Sequence, residues 1–298
     1  MDAAQDSDNA LPLTGAQETL LVTLLAKYND FYQPRPLLTD RWAVAVIDHL
    51  GAEQHAALTA RISRGPTSHP ATVTMRARTI DNWATDFLAS HSNEPVTVVH
   101  LACGLDARAL RLRGKCSDKG VRWVDLDLPE VIDARHRASA AMPSPPGGRG
   151  YSYEMVAADA TATEWLQAIP ADRPTLIIME GLSMYLGVEA AEALMQRLVS
   201  HFAARGGELV LDTMSPQFAA FMNWVIRVQK NFDFQFGYTL SSPAEILRLN
   251  ERLQIVEGHT FTDNPAIKLL GWQPRVFLWV MSWIPYAGAL SRFMRFKM

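Results

Sequence analysis

The chain has 298 residues, 48% of them hydrophobic, enough to bury a sizeable core as one large α/β domain or two small ones. Its 28 basic and 31 acidic residues leave a formal charge of -3, which gives no global attraction to nucleic acid or to an anionic membrane and favours a small-molecule partner. Cys103 and Cys116 form neither a CxxC pair nor a Cys/His cluster with zinc spacing, so no metal site is expected and a reducing, cytoplasmic setting is.

Met1 to Ala10 is polar and acidic with no basic start before an apolar run, so no secretory signal is read and residues 1–13 are expected to be a disordered N-terminus. Thr14-Gly-Ala-Gln17 has capping-box spacing before Leu20, Leu21, Leu24 and Leu25, which predicts a helix to about Tyr28. Further helices are expected over Thr39 to Leu50 and Thr72 to Ala89, making residues 14–94 a helical cover. In the last of these, Val73, Ile80, Trp83, Ala84 and Phe87 form one stripe at 100° per residue, and Arg76 falls within it. A guanidinium on an apolar face must snorkel or find an anion, which makes Arg76 an anion-binding candidate. Arg78, on the opposite face beside Asp81 and Asn82, reads as a solvated surface charge.

From Pro95 the pattern alternates strand and helix: strands at Val96–Leu101, Val121–Asp127, Tyr151–Ala158, Pro174–Glu180 and Glu208–Thr213. Helices are expected near 107–113, from Pro129, over 163–169 and over 188–204. This predicts a Rossmann-like, doubly wound and mostly parallel seven-stranded sheet, with the cofactor-binding core in residues 95–213. Residues 214–250, with an amphipathic stretch from Pro216 to Lys230, read as a helical substrate lid. The last strands are placed at Leu253–Phe261 and Arg275–Ile284 within a C-terminal unit of residues 251–298. The apolar run Val276–Leu290 is interrupted by Ser282, Pro285 and Gly288, too short to span a bilayer, and reads as core strand plus turn. No linker divides residues 14–298, which are taken as one domain.

In such a sheet ligands bind outside the carboxyl ends of the strands, where the small-residue turn Ala102-Cys103-Gly104 falls. Asp125 and Asp127 close the next strand about 20 residues on, where a carboxylate typically accepts ribose hydroxyls. The turn lacks GxGxxG, which disfavours a nicotinamide oxidoreductase. His100 inside the first strand reads as a hydrogen-bonded core histidine, and Cys103 as structural.

Val98-Val-His-Leu-Ala-Cys-Gly-Leu-Asp-Ala-Arg-Ala-Leu-Arg111 resembles the glycine-loop motif of the leucine carboxyl methyltransferase family, in particular its polyketide-tailoring branch. The likeness continues in Glu18–Lys27, Trp123–Val131, Ala157-Ala-Asp159 and Ile178–Leu186, and fades after Ser215. The resemblance implies a class I fold and S-adenosylmethionine as methyl donor. It assigns Lys27 and Arg76 to the methionine carboxylate, and places Ala102 and Gly104 against the methionine and adenosine portions. Asp127, with Asp125 the weaker candidate, would take the ribose, and Asp159 with Ala160 the adenine. Glu180 would face the ammonium end and the reaction chamber, with Tyr185 nearby, these two being the catalytic candidates. Ala102 departs from the family's first glycine, a change tolerable if the backbone there avoids positive φ.

The expected reaction is O-methylation of a carboxyl or hydroxyl group on a polyketide-like small molecule. An ionised carboxylate needs no general base, whereas a phenol would need one such as a histidine or Glu180. Met222, Trp224, Phe234 and Tyr238, within or near the aromatic segment Phe232–Tyr238, are candidates to wall the substrate. The alternatives are a methyltransferase-fold protein that binds the cofactor but catalyses a non-methyl-transfer reaction, and a protein C-terminal carboxyl methyltransferase.

Overall fold

The computed structural model describes residues 11, 13, 17–63, 70–229, 234–283 and 291–298; residues 1–10 and 12 of the predicted disordered start and Thr14 of the capping box lie outside them, whereas Leu13 is buried with Leu24 and Leu25. Four helices come first: α1 (Glu18–Phe31), α2 (Arg41–Leu50), α3 (Ala52–Ser63) and α4 (Pro70–Ser90). Asp40 caps α2, its side chain accepting the Ala43 N–H. Then follow β1 (Val96–Leu101), α5 (Arg108–Arg111), β2 (Val121–Asp127), α6 (Pro129–Arg137), β3 (Tyr151–Ala157), α7 (Glu164–Ala168), β4 (Thr175–Met179), α8 (Val188–Phe202) and β5 (Gly207–Met214). The chain closes with α9 (Pro216–Gln229), α10 (Ala244–Leu247), β6 (Gln254–Thr260), α11 (Trp272–Ser282) and β7 (Ser291–Lys297).

The seven strands are ordered β3-β2-β1-β4-β5-β7-β6. β1 to β5 are parallel, and β7 runs antiparallel between β5 and β6. The central strands are buried on both faces, as a sheet covered by helices on either side requires. Alternate residues divide between two cores. Val99, Leu101, Ile177, Met179, Leu209 and Leu211 meet Leu194, Met195 and Leu198 of α8. Val96, Val98, Trp123, Leu176, Ile178 and Val210 meet Ile80, Trp83, Ala84 and Phe87 of α4, the stripe expected from the sequence. Each fully buried side chain of the size of Phe87 or Ile80 contributes about 1.5–3 kcal/mol, which fixes α4 on that face.

Two expectations are overturned. The strand placed at Arg275–Ile284 is helical to Ser282, and the final strand is Ser291–Lys297. A short run of Val, Phe and Trp suits either structure; here only Leu278 of the run's described side chains is buried, so no sheet face is being filled. The true strand carries three positive charges, yet Phe293, Met294 and Phe296 enter the core and Arg295 is neutralised by Glu208 at 2.6 Å. Arg78 is the other correction. It is half-buried and donates from Nη1 to the Leu37 carbonyl at 3.1 Å, tying α4 to the loop after α1.

Candidate active site

The two-residue period that sorts the apolar side chains also builds the site. Continuing the α4-facing rows of β1, β2, β4 and β5 toward their carboxyl ends brings His100, Asp125, Glu180 and Asp212 onto one face. Arg76, one helical turn before Ile80 on α4, reaches the same row. Its Nε donates to Glu180 Oε1 at 2.9 Å and its Nη1 to Asp212 Oδ2 at 3.0 Å. The anion predicted for Arg76 is therefore supplied in part by the protein itself.

Arg108, fully buried, gathers the rest. It donates to Asp81 at 2.7 Å, to Glu180 Oε2 at 2.5 Å and to His100 Nε2 at 3.0 Å, and lies 3.1 Å from Asp106. Arg111 binds Asp40, Asp81 and Asp106, and Lys27 of α1 lies 3.1 Å from Asp106. Four cations, Lys27, Arg76, Arg108 and Arg111, thus meet five carboxylates, those of Asp40, Asp81, Asp106, Glu180 and Asp212. The cluster has one negative charge in excess. Burial pushes the Glu180 carboxyl up, but Arg108 and Arg76 outweigh it and hold the group at about 2. Burial wins at Asp212, whose carboxyl stays above its ordinary range despite Arg76.

The turn after β1 lies at the same edge. Gly104 has φ +53°, and a Cβ there would come within 2.6 Å of Leu20 Cδ2, because α1 crosses directly over the turn. Its N–H donates to Asp127 Oδ2 at 2.6 Å, while Asp127 Oδ1 accepts from the Leu128 N–H. Ala102 has φ +49°, so the condition under which alanine would be harmless there is not met, and the turn stores strain on the order of 1–2 kcal/mol. Asp159 is exposed and accepts from the Thr161 N–H and Oγ1 through one oxygen; Ala160 is buried beside it.

Asp125 is sealed away from this edge. It has no exposed surface, and it accepts from Trp123 Nε1, Arg135 Nη2 and Tyr153 Oη. Burial would raise its carboxyl, yet Arg135 brings it below the ordinary range, as expected of a structural ion pair. A ribose-binding role for Asp125 does not fit these contacts.

The substrate-wall candidates separate. Tyr185 packs against Phe234 and Phe236 with ring centroids 5.3 and 5.4 Å apart, and its hydroxyl lies 3.4 Å from Thr19 of α1. Asn223, absent from the sequence-derived site, holds this group together: its side chain accepts the Phe236 N–H and donates to the Phe236 carbonyl. Met222 is half-buried on α9, whereas Trp224 is 58% exposed and stacks on Phe221. Tyr238 is buried in the α8-side core, where desolvation pushes its phenol up to about 12. Of the four candidates, Phe234 is the one placed against Tyr185, while Trp224 faces outward and Tyr238 lies in the α8-side core. Arg111, Asp40, Asp81 and Asp212 were also missed; their only sequence signal is a charge at the end of an apolar stripe or strand.

The strand order, the reversed β7 and a polar site at the carboxyl edge define a Rossmann-like class I methyltransferase fold. A Thermobifida fusca crystal structure shares it, with a TM-score of 0.55 and 16% identity over 89% of this chain and 98% of that one. The profile of the family "Leucine carboxyl methyltransferase" matches residues 20–199. The chain is 34% identical over 261 residues to the tetracenomycin polyketide synthesis O-methyltransferase TcmP of Streptomyces glaucescens, covering 86% of each. It is 30% identical over 291 residues to the S-adenosyl-L-methionine-dependent methyltransferase dpfgK of Gibberella zeae, covering 94% of each. The chain belongs to the leucine carboxyl methyltransferase family.

Proposed function

We propose that the protein transfers a methyl group from S-adenosylmethionine to a carboxylate oxygen of a polyketide-like small molecule. The observation that carries the choice of acceptor is Glu180. Both of its oxygens are engaged by guanidiniums and its carboxyl is held at about 2, so it is a poor general base. A carboxylate acceptor is already ionised and needs none.

The residues at the strand ends suit the donor. Its methionine end combines a sulfonium, an ammonium and a carboxylate, one net positive charge, which complements the one negative charge in excess in the cluster of four cations and five carboxylates around Glu180. Arg76, with an 18% exposed side chain, would hold the carboxylate, assisted by Lys27 from α1. Asp127 would take the ribose, Ala102 and Gly104 the flank of the nucleoside, and Asp159 with Ala160 the adenine. When bound, the cofactor supplies an electrophilic methyl group. Tyr185, whose phenol burial keeps protonated, would orient the acceptor with Phe234 and Phe236 beside it, and the overlying α1 would exclude water.

Isothermal titration with S-adenosylmethionine and S-adenosylhomocysteine tests the cofactor reading. Binding in the micromolar range, weakened at least about tenfold in Arg76→Ala and Asp127→Ala, is expected from the loss of a charge-assisted contact. Absence of binding by the unaltered protein rejects it.

A further inference from the structure

Helix α11 is turned inside out relative to an ordinary surface helix. At 100° per residue Trp272, Val276, Trp279 and Trp283, the last just past the helix end, fall within a single narrow stripe, and they are 73%, 50%, 58% and 71% exposed. Leu278 projects from the other side into the core with Leu37, Met75 and Leu270. The helix is held by its back and presents indole rings outward. Indole rings, apolar in body with one N–H, favour the boundary between hydrocarbon and water over either phase. Scattered exposed apolar residues are ordinary; three tryptophans along one stripe are not.

The charge around this stripe is one-sided. From Asn264 to Met298 the sequence has no acidic residue; Arg275 is exposed on α11 itself, and Lys268 is exposed in the turn just before it. That stretch of chain is therefore positive although the whole chain is slightly negative. With 11 residues at about 1.5 Å each, α11 is far too short to cross a bilayer, and among the described residues no helix is long and apolar enough to do so. Aromatic anchors on a short helix that carries one cation and follows another suit the plane of an anionic headgroup layer.

We propose that the α11 face docks the protein reversibly on an anionic lipid surface, its tryptophans entering the interface and Lys268 and Arg275 meeting the headgroups. This is independent of the methyl-transfer reading. The test is cosedimentation of the full chain with vesicles of phosphatidylcholine alone or mixed with phosphatidylglycerol. Partition onto the mixed vesicles is expected to exceed that onto neutral ones about tenfold and to fall with added salt. The double variant Trp272→Ser/Trp279→Ser should lower it by more than about tenfold, and Lys268→Glu/Arg275→Glu should remove the preference for anionic lipid. Both variants should keep the thermal midpoint of the parent, because the altered side chains are exposed. No binding by the parent, equal binding by the tryptophan variant, or a dimer in light scattering that the tryptophan variant dissolves would each overturn the proposal.

Discussion

Arg108 Nη1 lies 3.0 Å from His100 Nε2, and since a guanidinium only donates, that nitrogen must carry the lone pair. The ring proton then sits on Nδ1, which faces Asp125 Oδ1 at 3.5 Å. His100 therefore stands between two buried charge clusters: Arg108 with Asp81, Asp106 and Glu180 on one side, and Asp125 with Arg135 and Tyr153 on the other. Replacing Arg108 by Met leaves three carboxylates short of a partner in a dry interior. Urea unfolding of Arg108→Met is expected to show a loss of about 3–5 kcal/mol; a loss below about 1 kcal/mol would mean that water reaches the cluster and that the pairing is dispensable.

The strained turn gives a gain instead. Relieving φ +49° at Ala102 is worth about 1–2 kcal/mol, against about 0.5–1 kcal/mol for the extra backbone freedom of glycine in the unfolded chain. Ala102→Gly should therefore stabilise the fold by roughly 0.5–1 kcal/mol in the same unfolding assay. A destabilised Ala102→Gly protein would show that the methyl group's packing outweighs the strain.

Part of the acid sensitivity follows from Glu180, alongside Asp106 and Asp125, whose carboxyls neighbouring arginines also hold below their ordinary range. The Glu180 carboxyl ordinarily titrates at 4.5 and is held at about 2 in the fold, so the ionised form contributes stability above the ordinary value, and that contribution disappears as the pH falls from about 4.5 to about 2. Asp212, raised by burial, acts with the opposite sign and does not supply this slope. Glu180→Gln should lower stability near neutrality by on the order of 3 kcal/mol and flatten the pH dependence of unfolding in that acid window. An unchanged slope would assign the acid sensitivity to Asp106 and Asp125 without Glu180.

For a carboxylate acceptor, kcat/KM should be level between about pH 6 and 9, because no proton leaves the acceptor in the methyl-transfer step. Initial rates across that range check this, and a rising limb with an inflection near neutrality would point to a phenol activated by a base.

The central strands β1, β2, β4 and β5 were readable from sequence because each is a short apolar run punctuated by Gly, Pro or a charge; β1 and β2 begin and end where the pattern places them. Arg76 was readable because a charge inside an apolar stripe contradicts its surroundings. Its partners were not. Asp212 lies 136 positions away and looks, in sequence, like any acid near a strand end. Arg111 draws on Asp40, Asp81 and Asp106 from three separate segments, a convergence that only the packing of α2 and α4 around α5 creates. The C-terminal error has a different cause: pattern reading assumes that apolar faces are buried, and α11 breaks that assumption.

β7 is wedged between β5 and β6, with Ser291 bonded to the carbonyl of Thr213 across 78 positions of chain. During synthesis β5 can be completed only on its β4 side until that distant segment emerges, so Leu209 and Leu211 border an open sheet edge in the nascent chain. Pairing across such a separation is slow to form. The half-made protein is thus exposed to edge-to-edge association on the ribosome, and removal of the last strand should yield aggregates rather than a smaller folded enzyme.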